Sequence, residues 1–145
     1  MKVFVENEAG SFVKNLHDEK TLEFKGAMPV SRPYPFPYGF VMDTSADDGD
    51  NVDCFVLTGT QLSRRDVVEC DPMALMEQIE DDQIDHKILG VIRGEDQMLD
   101  VDVRQTLVEF ATHVFDHVPG KKMQIGEFLD RQAAAEFLEQ HSYAS

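Results

Sequence analysis

The sequence predicts an α+β fold, a small β-barrel with helices packed against it at the C-terminal end. Two observations carry that prediction. Short apolar stretches separated by turn signals run as far as Ile92, the pattern of a barrel of short strands. Beyond Asp102, Leu107, Phe110, Ala111, Val114 and Phe115 recur at helical spacing. Strands first and helices last fit one layered architecture. With 145 residues and 42% apolar composition, the chain reads as a single domain, residues 1–145, with enough apolar material for one core.

The elements follow in order. Lys2 to Glu6 alternates as a strand, with Val3 and Val5 on one face. Asn7-Glu8-Ala9-Gly10 is a turn, Ser11 to Lys14 a second strand, Asn15 to Lys20 a polar link and Thr21 to Phe24 a third strand. Ala27 to Pro37 holds four prolines, so it is extended and stands outside a central ladder. Val52 to Leu57 reads as a buried strand, Gly59 to Arg65 as a loop and Val67 to Cys70 as the start of another strand. Met73, Leu75 and Met76 fit either a strand or a helical turn over Pro72 to Ile79. Glu80 to Asp85 is an acidic turn, His86 to Ile92 a strand and Gly94 to Asp102 a polar connection. Asp102 is the predicted N-cap of the long helix, and Pro119-Gly120 stops it. Lys121 to Phe128 makes a last strand, and Asp130 to His141 a short helix with Ala134, Phe137 and Leu138 inward.

Chemistry concentrates in Tyr34 to Thr58. Two tyrosines, Tyr34 and Tyr38, sit in a proline-stiffened segment. After them Gly49 allows a tight turn that gathers Asp48, Asp50 and Asp53. Two carboxylates about 4 Å apart repel by roughly 4 kcal/mol at an effective dielectric near 20. Such crowding is tolerated on a solvated surface, by protonation, or by binding a cation. Oxygen donors without Cys or His nearby suit Mg²⁺, Mn²⁺ or Ca²⁺. A calcium loop fits poorly, because counting from Asp43 the sixth residue is Asp48 and the twelfth Cys54.

The run Asp48-Gly49-Asp50-Asn51-Val52-Asp53-Cys54 closely resembles the aspartate signature of the family I soluble inorganic pyrophosphatases, which usually have proline where Asn51 stands. Tyr34-Pro35-Phe36-Pro37-Tyr38-Gly39-Phe40 is similar to the same family's Tyr-Pro-x-x-Tyr-Gly segment. A second acidic stretch, Glu80, Asp85 and Lys87, resembles the family's second metal segment; on spacing alone Asp85 and Lys87 read as a salt-bridged surface strand. The resemblance covers roughly Lys2 to Phe128, tips Pro72 to Ile79 towards strand and implies a small closed OB-like barrel. It further implies Mg²⁺-dependent hydrolysis of pyrophosphate to two phosphates by metal-activated water, with Mn²⁺ as a substitute. Asp48, Asp53, Glu80 and Asp85 would hold metal. Asp50 would orient or deprotonate the water, with Tyr38 beside it. Lys2, Lys25, Tyr34, Tyr38 and Lys87 would meet the substrate, with Arg32 as the alternative to Lys25.

Two departures stand out. The family's N-terminal glutamate has no counterpart ahead of Lys2, and its Tyr-Lys pair aligns with Val118-Pro119, leaving Lys121 or Lys122 to compensate. These departures keep two other readings open: a pyrophosphatase-like binding or scaffold module with little or no catalysis, and a hydrolase of another phosphoanhydride.

Acidic residues number 28 against 13 basic, a formal charge of −15. That balance argues against nucleic acid or an anionic membrane as partner. It also means that pyrophosphate would be repelled unless metal and local lysines reverse the sign at the site. No apolar run approaches a membrane span, and the first residues are not a signal peptide. The expected compartment is the cytoplasm, with Cys54 and Cys70 reduced and acting as small apolar fillers. The sequence leaves room for a homo-oligomer.

Overall fold

The computed structural model describes residues 1–45 and 49–142. Among the described residues nine strands and two helices follow in the order β1 Lys2–Asn7, β2 Val13–His17, β3 Phe24–Pro29, β4 Tyr38–Val41, β5 Asp53–Val56, β6 Val67–Glu80, β7 Gln83–Ile84, β8 Lys87–Ile92, α1 Val101–His113, β9 Met123–Leu129 and α2 Arg131–Gln140. The fold is α+β with a mixed sheet and two C-terminal helices. Seven strands share the main sheet in the order β1-β4-β5-β8-β6-β7, with β9 added on β6 and β1 also paired to the start of β6. All these pairs are antiparallel except β5–β8. β2 and β3 form a separate hairpin.

Strand alternation sorts the core into two layers. One face carries Tyr38, Phe55, Met76 and Leu89, and α1 covers it with Leu107, Phe110, Ala111 and Val114. The other carries Val3, Val5, Cys54, Val56, Leu75 and Ile88, with Ala134 of α2 packed on it. Each fully buried side chain of this size contributes about 1.5–3 kcal/mol. α2 begins where expected, with the Asp130 carboxylate accepting from Ala133 N–H. α1 is capped by Asp100, which accepts from Val103 N–H at 2.9 Å, and Asp102 lies within its first turn instead.

In the first hairpin the expectation changes. The hairpin turn sits at 18–22, not between strands ending at Lys14 and starting at Thr21. The Asp18 carboxylate accepts from Lys20 and Thr21 N–H, and Leu22 takes a left-handed φ of 65°, so β3 cannot start before this turn closes. Tyr38 to Val41 is a strand, because only its first residue belongs to the proline-stiffened run. Pro72 to Ile79 lies within one 14-residue strand, β6, whose register shifts between Pro72 and Ala74. A proline cannot donate to a ladder, so a shift is expected there.

Gly39 sits where β1 and β4 come closest. A Cβ there would lie 1.8 Å from the Phe4 carbonyl oxygen, a backbone atom that cannot step aside. Gly39→Ala should therefore destabilise the fold by about 1–3 kcal/mol, seen as a lowered urea midpoint. An unchanged midpoint would mean that β1 and β4 separate without cost.

Candidate active site

The site is built by strand register. β5 and β8 run parallel with Cys54 opposite Ile88, so their first residues, Asp53 and Lys87, stand level on the same face. Asp85, two residues before Lys87, points the same way. The Lys87 ammonium therefore meets both carboxylates, at 2.6 Å to Asp53 Oδ2 and 2.9 Å to Asp85 Oδ2. It is 5% exposed and lies 5.6 Å from the centre of the Tyr38 ring. Burial opposes its charge, but Asp53 and Asp85 outweigh that and lift the ammonium above its ordinary range. The carboxylates keep 23% and 14% of their side-chain surface, so solvent ions can reach them.

Around this triad opens a cavity of about 570 Å³. Tyr34 and Tyr38 form its floor, with rings 5.3 Å apart and Tyr34 stacked towards Phe110 at 4.7 Å. Burial first, then the charge of Asp53, holds both phenols well above their usual value, so they remain hydroxyls. Gly49, Asp50 and Asn51 bring the acidic turn to the rim, with Gly49 at φ 87°. β6 delivers Gln78 and Glu80 by alternation, and the β2–β3 hairpin delivers Lys14, Lys20 and Lys25. Carboxyl groups on the lining (Glu6, Asp18, Glu19, Asp50, Asp53, Glu80, Asp85) outnumber its lysines (Lys14, Lys20, Lys25, Lys87).

Of the residues singled out from sequence, Asp50, Asp53, Glu80, Asp85, Lys87, Tyr34, Tyr38 and Lys25 all line this cavity. Asp48 lies outside the described residues. Lys2 does not reach the cavity: it is exposed at the start of β1 and borders a separate shallow cleft with Met42, Leu138 and Glu139. Lys14 and Lys20, not singled out from the sequence, also line the cavity. Arg32 lies away from the cavity against Glu109, at 3.6 Å, which favours Lys25. Val118-Pro119 also lies off the cavity lining. Lys121 folds back, 3.4 Å from both Glu80 and Asp81, with its ammonium 5.2 Å from the ring of Phe115 on the cavity wall. Lys122 is exposed beside Asp82.

Glu6 was not foreseen as a site residue. It brings a glutamate from β1 to the cavity lining. Alternation put Val3 and Val5 inward and left Glu6 for solvent, but Val3 to Asn7 are buried on both faces of β1. Glu6 Oε2 accepts from His17 N–H at 3.1 Å and lies 3.2 Å from His17 Nδ1. Burial, then Asp53 and Glu19, push its carboxyl up to about 8. His17 is pulled below its usual value by burial and by Arg64 and Arg65, so it is neutral at pH 7.

A divalent cation fits these donors. They are hard oxygens carrying more negative charge than one ammonium balances. Asp85 shows the surplus: burial pushes it up to about 6, and Asp53 and Glu80 add to the rise against the opposing pull of Lys87. Among the described residues no three metal-ligating side chains converge as a complete cluster. Asp53 and Asp85 converge as a pair on Lys87.

The fold and site together match one group of proteins. The family model described as inorganic pyrophosphatase matches residues 3–144. A relative, the inorganic pyrophosphatase of Aquifex pyrophilus, is 30% identical over 92% of this chain and 82% of its own. That of Nanoarchaeum equitans is 26% identical over 94% and 92%. Among solved structures, an inorganic pyrophosphatase from Coxiella burnetii superposes with a TM-score of 0.86 at 26% identity, covering 99% of this chain and 92% of the other. The inorganic phosphatase of Anaplasma phagocytophilum gives 0.88 at 25% identity, over 97% and 90%. The chain belongs to the inorganic pyrophosphatase family.

Two outcomes follow from the site's electrostatics. Lys87→Met leaves two carboxylates crowded without their cation, which should cost about 3–5 kcal/mol in EDTA. Mg²⁺ should recover part of that loss, measured as urea midpoints with and without the ion. No loss in EDTA would mean that Lys87 does not hold the pair together.

Glu6 sets a pH dependence. Its folded pKa, about 8, is above the usual 4.5. Between those values the unfolded chain binds fewer protons than the native state, so stability falls as pH rises through the window. Glu6→Gln keeps an acceptor for His17 N–H and removes this linkage. At pH 8 it should stabilise the metal-free protein by on the order of 2 kcal/mol, with little gain near pH 4.5. Equal thermal shifts at both pH values would contradict the raised carboxyl.

Proposed function

We propose that this protein hydrolyses inorganic pyrophosphate to two phosphates, with Mg²⁺ as its metal and Mn²⁺ as a substitute. The observation that carries the reading is the Asp53–Lys87–Asp85 triad at the base of a cavity rimmed by Asp50 and by lysines. Asp53 and Asp85, with Glu80 and with Asp48 from the adjoining turn, would hold the metal. When bound, the ion supplies charge neutralisation to the phosphates and lowers the pKa of water.

The protein's own groups do the rest. Asp50, which lines the cavity beside Asp53, orients the attacking water and takes its proton. Lys87, Lys14 and Lys25 meet phosphate oxygens, and Lys121, 3.4 Å from Glu80 of the cavity lining, is the candidate to compensate for the missing Tyr-Lys pair. Tyr38, kept protonated, donates its hydroxyl to phosphate or to the carboxylate shell. Tyr34 braces Tyr38 against Phe110.

We read the pairings β1–β4, β4–β5, β5–β8, β8–β6 and β6–β1 as a small closed OB-like barrel in a single domain. Cys54 and Cys70 are buried and free, which suits a reducing cytoplasm. No helix among the described residues is long and apolar enough to cross a membrane.

The test is phosphate release from pyrophosphate with Mg²⁺, abolished by EDTA, set against other phosphoanhydrides. Asp50→Asn keeps size and loses the base, so turnover should fall about a hundredfold to ten-thousandfold while Mg²⁺ binding persists. Near-normal turnover in that variant would remove Asp50 from the role. Absence of hydrolysis in the unmodified protein would favour a binding or scaffold module.

A further inference from the structure

The β2–β3 hairpin carries Lys14, Lys20 and Lys25 to the cavity, yet it forms its own two-stranded sheet. Its position over the site therefore depends on individual bonds. At the root, Asn7 Oδ1 accepts from Asn15 N–H at 2.6 Å, and Glu6 Oε2 accepts from His17 N–H. On the outer side Arg65 Nη1 donates to the Leu22 carbonyl at 3.0 Å. At the tip, Glu19 Oε1 accepts from the backbone N–H of Asn51 at 3.0 Å. That last bond joins the hairpin directly to the acidic turn.

Asn51 is itself fixed. It is 6% exposed, and its Nδ2 donates to the Val41 carbonyl at 3.1 Å. The turn's N–H is thus held facing the hairpin. A proline at this position would have no N–H to offer, so the bond requires a residue other than proline here.

We propose that Glu19 is a positioning residue: it latches the hairpin tip to the acidic turn and so holds the hairpin lysines where they meet pyrophosphate. The inference rests on the proposed activity. It also opposes simple electrostatics. Glu19 adds negative charge to an already acidic cavity and raises the neighbouring Glu6 carboxyl. On charge alone, removing it should tighten binding of an anion. The latch predicts the reverse.

The experiment compares Glu19→Ala with Glu19→Gln, which removes the charge but keeps an acceptor. Three quantities are read: affinity for imidodiphosphate with Mg²⁺, the KM and kcat for pyrophosphate, and hydrogen exchange at the Asn51 amide. In Glu19→Ala, KM and analogue Kd should rise about tenfold, the loss of one charge-assisted hydrogen bond, with kcat within about twofold. The Asn51 amide should exchange at least about tenfold faster. Glu19→Gln should keep all three near the parent values. A merely structural role would lower the active fraction, hence kcat, and leave KM unchanged, which would overturn the proposal. So would tighter binding in Glu19→Ala. Equal damage in Glu19→Gln with a raised Mg²⁺ requirement would make Glu19 a metal ligand and also overturn it. If the parent protein neither hydrolyses pyrophosphate nor binds the analogue, the proposed activity fails. The latch is then judged by Asn51 exchange alone: slow in parent and Glu19→Gln but fast in Glu19→Ala upholds it, and equal rates overturn it.

Discussion

The buried ammonium of Lys87 is the constraint from which the site is built. Taking a charge out of water is expensive, and it is tolerated only when opposite charge and hydrogen bonds replace the lost hydration. Asp53 and Asp85 do this for Lys87 at 2.6 and 2.9 Å. In return Lys87 allows two carboxylates to share one small volume. Neither group could occupy its position alone, so the parallel register of β5 and β8 and the approach of the 80–85 turn are coupled to one ion cluster. The aromatic floor completes the enclosure: Tyr38 beneath the ammonium, Phe55 and Phe110 behind it. α1, by packing on this face, seals the core side and leaves the cluster open towards the cavity.

The same cluster explains how so acidic a protein can take a polyanion. The cavity lining is negative, and a bare pyrophosphate would be repelled. A divalent cation held by Asp53 and Asp85 would change the local sign, and Lys87, which now pairs with both carboxylates, would then be available to phosphate. The lysines of the β2–β3 hairpin approach from the opposite wall. In the proposed function, substrate would meet the metal-holding carboxylates of the sheet and the lysines of the hairpin in this one cavity, which Asp50 also lines.

Much of this was legible in the sequence, for physical reasons. The resemblance marked Asp53, Asp85 and Lys87; spacing alone reads Asp85 and Lys87 as a salt-bridged surface strand, and the structure has that salt bridge with Lys87 buried. Gly49 marked its turn, and Asp130 marked its helix. What escaped depended on long-range packing. Glu6 was hidden because alternation assumes one wet face, and β1 has none. Lys2 was placed at the site from its position near the first hairpin, but the start of β1 runs past the cavity to another cleft. Lys14 and Glu19 lie on a hairpin whose docking depends on tertiary bonds rather than on its own pattern. The start of β3 is set by the Asp18 turn, whose side-chain bonds are not visible in hydrophobic spacing.

The central claim is that the Asp53–Lys87–Asp85 cluster is the metal site with an ammonium holding its place. The direct test is a crystal structure with Mn²⁺ and imidodiphosphate, using the anomalous signal of the metal to locate it. The account predicts Mn²⁺ bound by the carboxylates of Asp53 and Asp85, with Lys87 released from at least one of them and turned to a phosphate oxygen. Mn²⁺ found elsewhere, with Lys87 still bridging both carboxylates beside bound imidodiphosphate, would contradict it.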